Sequence, residues 1–477
     1  MSKKNIGFGR VGTMLLIFQF LAYVGYCTFT NYPQNVMSEY YGGTQTTTLM
    51  NLIGSLVGYL ISYFVIAPRI GRVKSVKNLA VLVGFLSMAL CAAVCVIPPT
   101  IPVLWCIAFV LVLIVTQIWI SFGSILIGNW FPRRKGTAMG IVTMAFPLIT
   151  GVCLGLFYGS WYGNFGAAMA SSMGDLSKSV VRANLIAFAP YWIAALIGVL
   201  ICLIFVKDFP EQCGEYRDND PSMTAEQAQE MTKREIEARK KSVWKRSKIW
   251  GCKDWWLQAI PNSLLLSCAI AFMVQIIPVL NMYGEDLDFL AVPGFILMDT
   301  GVNSVLFGLS IFACFGSWFL GVIDTKYGTK TAVFITSVLM LLAGILGMLN
   351  NAACAVAACW MLGLFMGASS NFGLSSIVRY WRGEDFPAVS YGAPPLGTII
   401  GACFPFIIAT LAAQFTYVAA FAFVGAMAVI CIICICLFNP RGVIAYDNKL
   451  REAAGLPIDD VLEQRLISEK ASSKVAK

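Results

Sequence analysis

Charge is excluded from long stretches of this chain. The sequence holds 34 Lys and Arg residues and 25 Asp and Glu residues, yet twelve long apolar segments contain none of them. A charged side chain at the centre of a lipid bilayer costs about 2.5 kcal/mol or more. We infer that these segments lie in lipid. No side chain within them can then use a formal charge to hold a solute or relay a proton.

The lengths of the apolar segments predict membrane-spanning helices. The chain is 58% hydrophobic with a mean hydropathy of +0.74, more than a water-soluble core requires. A hydrocarbon layer about 30 Å thick is crossed by about 20 apolar residues in a helix. We therefore predict an all-α membrane protein with twelve transmembrane helices. The predicted spans are residues 12–31, 46–67, 78–97, 102–128, 138–159, 185–206, 256–281, 302–323, 331–349, 353–378, 389–413 and 415–437.

The basic residues predict the orientation of these spans. If both termini are cytoplasmic, only Lys178 and Arg182 among the 34 cations fall on the outer side. Cytoplasmic loops carry such an excess of Lys and Arg. The net charge of +9 then reflects topology and an attraction to anionic membrane lipid, and it does not indicate nucleic acid as a partner. Because no predicted outer loop carries an Asn-x-Ser/Thr sequon, we expect a multi-pass protein of a prokaryotic plasma membrane.

The polar chemistry of an enzyme is missing from the sequence. The chain has no histidine, and fourteen of its 16 cysteines lie in the predicted spans. Cysteines in apolar helices behave as small buried hydrophobes. We therefore expect no catalytic residue, no metal and no cofactor, and the chain is not predicted to be an enzyme.

The chain divides into two similar halves around one polar segment. Gly123 follows Ser-Phe near the end of span four, and Gly373 follows Asn-Phe 250 residues later, near the end of span ten. We predict four parts: a six-helix bundle over 1–206, a cytoplasmic loop with a basic amphipathic helix over 207–255, a second six-helix bundle over 256–437, and a cytoplasmic tail over 438–477. A repeat of six plus six spans is typical of alternating-access carriers.

Three stretches resemble one family of carriers. Residues 128–141, Gly-Asn-Trp-Phe-Pro-Arg-Arg-Lys-Gly-Thr-Ala-Met-Gly-Ile, resemble the loop between spans four and five of the oxalate/formate antiporter and monocarboxylate-porter branch of the major facilitator superfamily. Residues 67–74 match part of the loop that this superfamily has between spans two and three, with Pro68 where the family has an aspartate. Residues 321–330 match that loop better, with one extra residue between Asp324 and Gly328. The resemblance implies the major facilitator fold, in which two six-helix halves rock around a central site.

Charges at the helix ends are the predicted gating residues. The resemblance implies that Asp324 pairs with Lys326, Lys330 or a neighbouring arginine and latches the cytoplasmic side. The alternative is that the cations of these loops only set topology, with Arg379 as an interface anchor. The predicted gating residues are Arg69, Arg72, Arg133, Arg134, Asp324, Lys326, Lys330 and Arg379.

Uncharged polar side chains are the predicted substrate-binding residues. The resemblance implies that spans one, four, seven and ten line the central path. The alternative is that each polar side chain joins neighbouring helices, a contact worth about 0.6 kcal/mol on average. The predicted substrate-binding residues are Gln19, Tyr23, Tyr26, Gln117, Trp119, Ser121, Gln275 and Asn371.

The resemblance also indicates the solute, a monocarboxylate-like organic anion moved by uniport or exchange. Carriers of that branch hold carboxylates with Arg or Lys inside spans eight and eleven, and this chain has neither there. Tyr hydroxyls, amide NH₂ groups and helix dipoles would then bind the anion. A neutral, zwitterionic or quaternary-ammonium solute is the alternative, and a transporter-like receptor or sensor is a more distant one. We expect the protein to act as a monomer.

Overall fold

The described helices confirm the all-α prediction. The computed structural model describes residues 7–32, 43–66, 74–98, 100–131, 135–148, 185, 188–221, 226–227, 230, 242–295, 298–382, 385, 389, 393–458, 460 and 462–464. Within these ranges the backbone forms helices and turns and no strand. The predicted helix of the central loop lies mostly outside them.

The helices follow one another with short connections. A π-helical stretch, Ile61–Ile66, continues α2, and 3-10 turns occur at Pro210–Cys213, Arg217–Asn219 and Gly284–Leu290. The α-helices of the described ranges are α1 (Arg10–Tyr32), α2 (Gly43–Leu60), α3 (Val76–Val96), α4 (Pro102–Trp130), α5 (Lys135–Thr143), α6 (Ala145–Leu148), α7 (Ala189–Ile204), α8 (Arg246–Trp250), α9 (Lys253–Asn281), α10 (Gly301–Tyr327), α11 (Thr329–Met348), α12 (Ala352–Tyr380), α13 (Ala393–Gln414), α14 (Tyr417–Leu437) and α15 (Pro440–Ala453).

Eight helices in the described part of the chain are long and apolar enough to cross a bilayer: α1, α2, α3, α4, α9, α10, α11 and α14. Helices α7, α12 and α13 contain shorter apolar stretches. These eleven coincide with predicted spans one to four and six to twelve. The fifth predicted span, 138–159, overlaps α5 and α6 and then leaves the described residues. The number twelve and the cytoplasmic termini therefore stay predictions.

Side-chain caps explain where several of these helices begin. Ser75 accepts a hydrogen bond from the main-chain nitrogen of Asn78 at 3.1 Å before α3. Asn351 and Asn439 do the same before α12 and α15, accepting from the main-chain nitrogens of Ala353 and Arg441. Each cap satisfies an N–H group that the first turn of a helix leaves without an intrahelical partner.

The chain forms two compact units, residues 1–229 with 273–310 and residues 230–272 with 311–477. In the first unit, α4 packs against α1, α2 and α3, and α7 packs against α1 and α3. Glycines let α2 approach α4: a Cβ at Gly54 would lie 2.7 Å from Cβ of Leu113, and one at Gly58 would lie 2.9 Å from Cβ of Gln117. Small residues are the usual device for close helix packing in lipid.

The helices of the second unit also pack closely at glycines. Here α11 packs against α12 and α14, and α13 packs against α14. A Cβ at Gly367 of α12 would overlap the main-chain oxygen of Ala313 in α10, and one at Gly316 of α10 would overlap Leu364 of α12. Gly367 lies 250 residues after Gln117, so equivalent positions of the two halves make the equivalent helix contact. The predicted boundaries at 206 and 256 stay predictions.

Candidate functional site

Gln19 joins α1 to α4 through a fully buried amide. Its Nε2 donates to the main-chain oxygen of Ile120 at 2.8 Å and to Oγ of Ser124 at 3.2 Å. Its Oε1 has no hydrogen-bond partner among the described residues and lies against Gly123, where any Cβ would overlap it. Gly123 therefore allows the amide to sit between the two helices.

The predicted tyrosines of α1 differ in their surroundings. The hydroxyl of Tyr26 lies 3.3 Å from the hydroxyl of Tyr59 in α2, and Tyr26 is buried. Tyr23 is half-buried and packs against a cluster of apolar side chains that includes Val24 and Ala194. Tyr26 is thus part of a polar contact between two helices, whereas the ring of Tyr23 contributes to packing.

The three predicted residues of α4 point in two directions. Gln117 is buried, and its amide makes no hydrogen bond with any described residue. Ser121, one turn further on, donates to the main-chain oxygen of Gln117 at 3.0 Å, which is a bond within its own helix. Trp119 is fully buried on the other side of α4, where it contacts Gly84 and lies beside Phe18. The structure does not bring Trp119 to the face of Gln117.

The predicted residues of α9 and α12 are only partly described. Gln275 is buried, and its Nε2 has no hydrogen-bond partner in the described ranges. Asn371 belongs to α12, but its side chain lies outside the described residues. An unpaired buried N–H group costs about 1–3 kcal/mol, so Gln275 retains a donor for a ligand or a water.

Four of the predicted gating residues, Arg69, Arg72, Arg133 and Arg134, lie outside the described residues. Lys326 is exposed at the end of α10. Lys330 does not contact Asp324: its Nζ donates to the main-chain oxygens of Phe438 at 2.5 Å and Cys436 at 3.4 Å. A cation at these carbonyls stabilises the C-terminal end of α14.

Asp324 pairs with Arg379, the neighbouring arginine at the end of α12. The guanidinium NH1 lies 3.8 Å from Oδ1 of Asp324 and donates to its main-chain oxygen at 2.9 Å. Thr329 donates to Oδ1 at 2.6 Å, and Ser375 donates to Oδ2. The carboxylate therefore joins the ends of α10, α11 and α12.

A second amide cluster, between α9 and α12, lies outside the predicted substrate-binding set, although Asn262 is a polar residue of predicted span seven. Gln258 and Asn262 are four residues apart, and both donate to Oγ of Ser376 in α12, Asn262 at 3.3 Å. Ser376 donates onward to the main-chain oxygen of Phe372 at 2.7 Å. The oxygens Oε1 of Gln258 and Oδ1 of Asn262 are buried with no partner in the described part of the chain. The spacing of the two amides was the signal in the sequence.

A buried ion cluster outside the membrane helices was also missed. It joins the segment before α8, the segment after α12 and helix α15, and we call it the tail cluster. Asp447 accepts from Arg382 at 2.9 Å, from Arg451 at 3.2 Å and from Nε1 of Trp244 at 2.8 Å. Asp385 lies 3.7 Å from Arg451 and accepts from Ser242. The four-residue spacing of Asp447 and Arg451 was its sequence signal.

Acidic side chains also attach the start of the central loop to the first unit. Glu215 accepts from the main-chain nitrogen of Val11 at 2.9 Å and contacts that of Gly12, at the first turn of α1. Asp208 accepts from Ser75 at 2.6 Å and from the main-chain nitrogen of Lys77 at 2.8 Å, at the first turn of α3. Carboxylates are favoured at such helix N-termini. No group of three His, Cys, Asp or Glu side chains in the described ranges could hold a metal ion.

This architecture, apolar helices with charges at their ends and neutral polar groups between them, is that of a polytopic membrane protein. The family model of the Major Facilitator Superfamily matches residues 14–301. The chain belongs to the Major Facilitator Superfamily, as its motifs predicted. The oxalate/formate and monocarboxylate-porter branch stays a prediction. No curated protein matches the chain.

Solved transporters have a similar fold. A POT family transporter in complex with 5-aminolevulinic acid aligns with a TM-score of 0.58 at 14% identity, over 91% of this chain and 96% of that one. A POT family transporter with a thioalcohol-conjugated peptide gives the same values. The E. coli fucose:proton symporter aligns with a TM-score of 0.53 at 13% identity, over 90% of this chain and 98% of that one. At this identity the likeness concerns the fold alone.

Proposed function

We propose that the chain is a secondary transporter that moves a small organic solute by alternating access, through uniport or exchange. The favoured solute is a monocarboxylate-like organic anion. Membership of the Major Facilitator Superfamily supports transport, and the loop of residues 128–141 supports the anion. We further propose a monomer in a prokaryotic plasma membrane, with cytoplasmic termini, in which the contact of Asp324 with Arg379 acts as a latch.

The observation that carries this proposal is the unpaired donor capacity of buried neutral amides. Gln275 sits inside α9, and its Nε2 is a buried donor with no partner in the described ranges. Gln117 of α4 is a second mostly buried amide, and its side chain bonds no described residue. Desolvating a donor without a partner costs about 1–3 kcal/mol, and a solute carboxylate that accepts from it recovers that cost. The described charges of the membrane helices lie at helix ends, so neutral groups are the ones available for binding.

The same distribution of charge supports uniport or exchange. Proton symport usually requires an ionisable group near the site, whose pKa changes with conformation. Asp254 and Asp324 are the acidic residues of the described membrane helices, and each lies close to a helix end. The fucose:proton symporter couples its own solute to protons, and that coupling is a property of that protein.

A neutral or zwitterionic solute is the second candidate, and one observation favours it. The oxygens Oε1 of Gln19, Oε1 of Gln258 and Oδ1 of Asn262 are buried acceptors with no partner in the described ranges. A hydroxyl or primary ammonium group would donate to such oxygens, whereas a carboxylate would be repelled by them. The two candidates therefore differ in which amide groups contact the solute.

Thermal stabilisation of the purified full-length protein distinguishes these solutes. Acetate, lactate, glycerol, glycine and glycine betaine represent the anionic, neutral, zwitterionic and quaternary classes. A ligand at a hundredfold excess over its Kd stabilises the protein by about 2.7 kcal/mol. We expect the shift from lactate or acetate, and its loss in Gln117→Ala, Gln275→Ala and Asn371→Ala. The control is Gln414→Ala, because Gln414 is exposed at the end of α13. In proteoliposomes, solute accumulation that strictly requires an imposed pH gradient would contradict uniport and exchange.

A further inference from the structure

One side of α2 carries polar groups along its length. Asn51 and Ser55 are buried, and Tyr59 follows at the same four-residue spacing. The exposed apolar residues Leu49 and Ile53 lie on the opposite side of the helix. Polar side chains in a membrane helix face the protein or a water-filled path and not lipid. Span two was not among the helices predicted to bind solute.

The polar side of α2 continues into α1. Ser55 donates to Oδ1 of Asn51 at 3.1 Å, and the hydroxyls of Tyr59 and Tyr26 are 3.3 Å apart. The hydroxyl of Tyr26 also interacts with Ser55. Four side chains from two helices thus form one connected polar chain within the first unit.

Gln117 of α4 lies next to this chain, and its amide lacks a hydrogen-bond partner among the described residues. Its Cβ packs directly on Gly58, the residue before Tyr59. The side chain is 6% exposed. Because Gly58 has no side chain, Cβ and Cγ of Gln117 lie directly against α2, between Ser55 and Tyr59 in the sequence. An amide that bonds no described residue keeps its donors available to a ligand.

We propose that these side chains form the subsite for the carboxylate of the transported solute. Its members are Asn51, Ser55 and Tyr59 of α2, Tyr26 of α1 and Gln117 of α4. Phenol O–H and amide N–H groups are neutral donors, so they bind a carboxylate without placing a charge in the span. The proposal rests on the proposed function and adds span two to the binding site.

Tyr59→Phe tests the donor role, because it removes the hydroxyl and keeps the ring. Counterflow of radiolabelled lactate into proteoliposomes of the full-length protein is the measurement. A hydrogen bond to a charged group is strong enough that its loss should raise the KM for lactate about tenfold or more. Tyr417→Phe, at the start of α14, is the matched control and should leave the KM within about twofold.

Ser55→Cys tests whether the polar side of α2 lines the solute path, independently of any solute. A small cationic thiosulfonate should add one label to this variant beyond the wild type, as measured by intact mass. Ser337→Cys is the matched control, because Ser337 is a buried span serine that bonds only its own helix, at the main-chain oxygen of Val333. We expect no added label there.

The two measurements separate the failure of this inference from the failure of the proposed function. If wild-type protein exchanges lactate but Tyr59→Phe keeps its KM, the subsite is wrong and the function stands. If wild-type protein exchanges neither lactate nor acetate, the anionic solute is wrong, and the carboxylate assignment falls with it. If Ser55→Cys takes no label, or if Ser337→Cys is labelled equally, α2 does not line the path.

Discussion

Asp447 of α15 and Arg382 beyond the end of α12 form a buried ion pair, with Nε of Arg382 2.9 Å from Oδ2 of Asp447. The side chain of Asp447 is 1% exposed and that of Arg382 is 8% exposed. A buried ion pair is favourable only when the remaining lone pairs of the carboxylate also accept hydrogen bonds. Nε1 of Trp244 donates to Oδ1 of Asp447 and meets this requirement. Helix α15 is therefore part of the folded second unit and not a loose extension.

We expect Asp447→Ala to destabilise the second unit strongly. The substitution removes the carboxylate that pairs with Arg382 and Arg451 and leaves both guanidinium groups buried without it. Breaking a buried ion pair in this way lowers the free energy of unfolding by about 3–5 kcal/mol. Thermal unfolding of the purified protein, followed by tryptophan fluorescence, measures the effect. Glu452→Gln is the control, since Glu452 is exposed on the same helix and should change stability by about 0.5 kcal/mol or less. Equal melting curves for both variants would show that the tail cluster contributes no stability.

Gly123→Ala and Gly373→Ala should have opposite effects although the two glycines are equivalent in the repeat. A Cβ at Gly123 would overlap Oε1 of Gln19, so the alanine must displace a buried amide from its bonds to α4. A Cβ at Gly373 would meet no heavy atom of the described residues within 4 Å, and alanine there gains about 1 kcal/mol of helix propensity. Thermal unfolding of both variants checks the sign. A Gly123→Ala variant as stable as the wild type would contradict the contact of Gln19 with Gly123, and a destabilised Gly373→Ala variant would contradict the open space at Gly373.

Asp324→Ala should impair exchange much more than Lys326→Ala. Asp324 accepts hydrogen bonds from Thr329 and Ser375 and pairs with Arg379, whereas Lys326 is exposed two residues away. Hydrogen bonds to a charged group contribute about 1.5–3 kcal/mol each, so the loss of one shifts an equilibrium about tenfold or more. Counterflow rates at matched protein levels give the comparison. A rate for Asp324→Ala within twofold of wild type would remove the latch from the mechanism.

Cys213 offers a test of the predicted topology. It is exposed in the segment after α7, and partial burial raises the pKa of its thiol above the ordinary value. Since the thiolate is the reactive form, labelling by a membrane-impermeant maleimide should be slow at neutral pH and accelerate as pH rises toward that pKa. We expect labelling in inside-out vesicles and not in right-side-out vesicles. The control is Cys213→Ser, and labelling from the outer side would reverse the predicted orientation.

The location of the membrane helices could be predicted from the sequence because the free energy of placing a segment in lipid depends only on the residues of that segment. Every residue of a span meets lipid or protein, so a charge is costly wherever it lies in the span, and the apolar segments indicate eleven of the described helices directly. The family could be predicted for a similar reason, since its motifs are contiguous loops such as residues 128–141.

Partners within the site could not be predicted in this way. Asp324 pairs with Arg379, 55 residues further along the chain, and not with Lys330 six residues away, because the packing of α10 on α12 brings those two ends together. Trp119 was grouped with Gln117, but the rotation of α4 turns its ring to α1 and α3. The polar side of α2 and the tail cluster were missed, since a four-residue spacing along one helix does not identify the partners that other segments supply.

The amino-acid sequence by itself determined which of the described segments are apolar helices and that the interiors of these helices carry no charge. Only the tertiary structure decided which neutral groups meet, such as Gln19 with Gly123 and Tyr26 with Tyr59. The physical reason is that the two free energies depend on different things. Transfer into lipid depends on the residues of one segment alone, whereas a hydrogen bond between two helices depends on the distance and the rotation at which they pack.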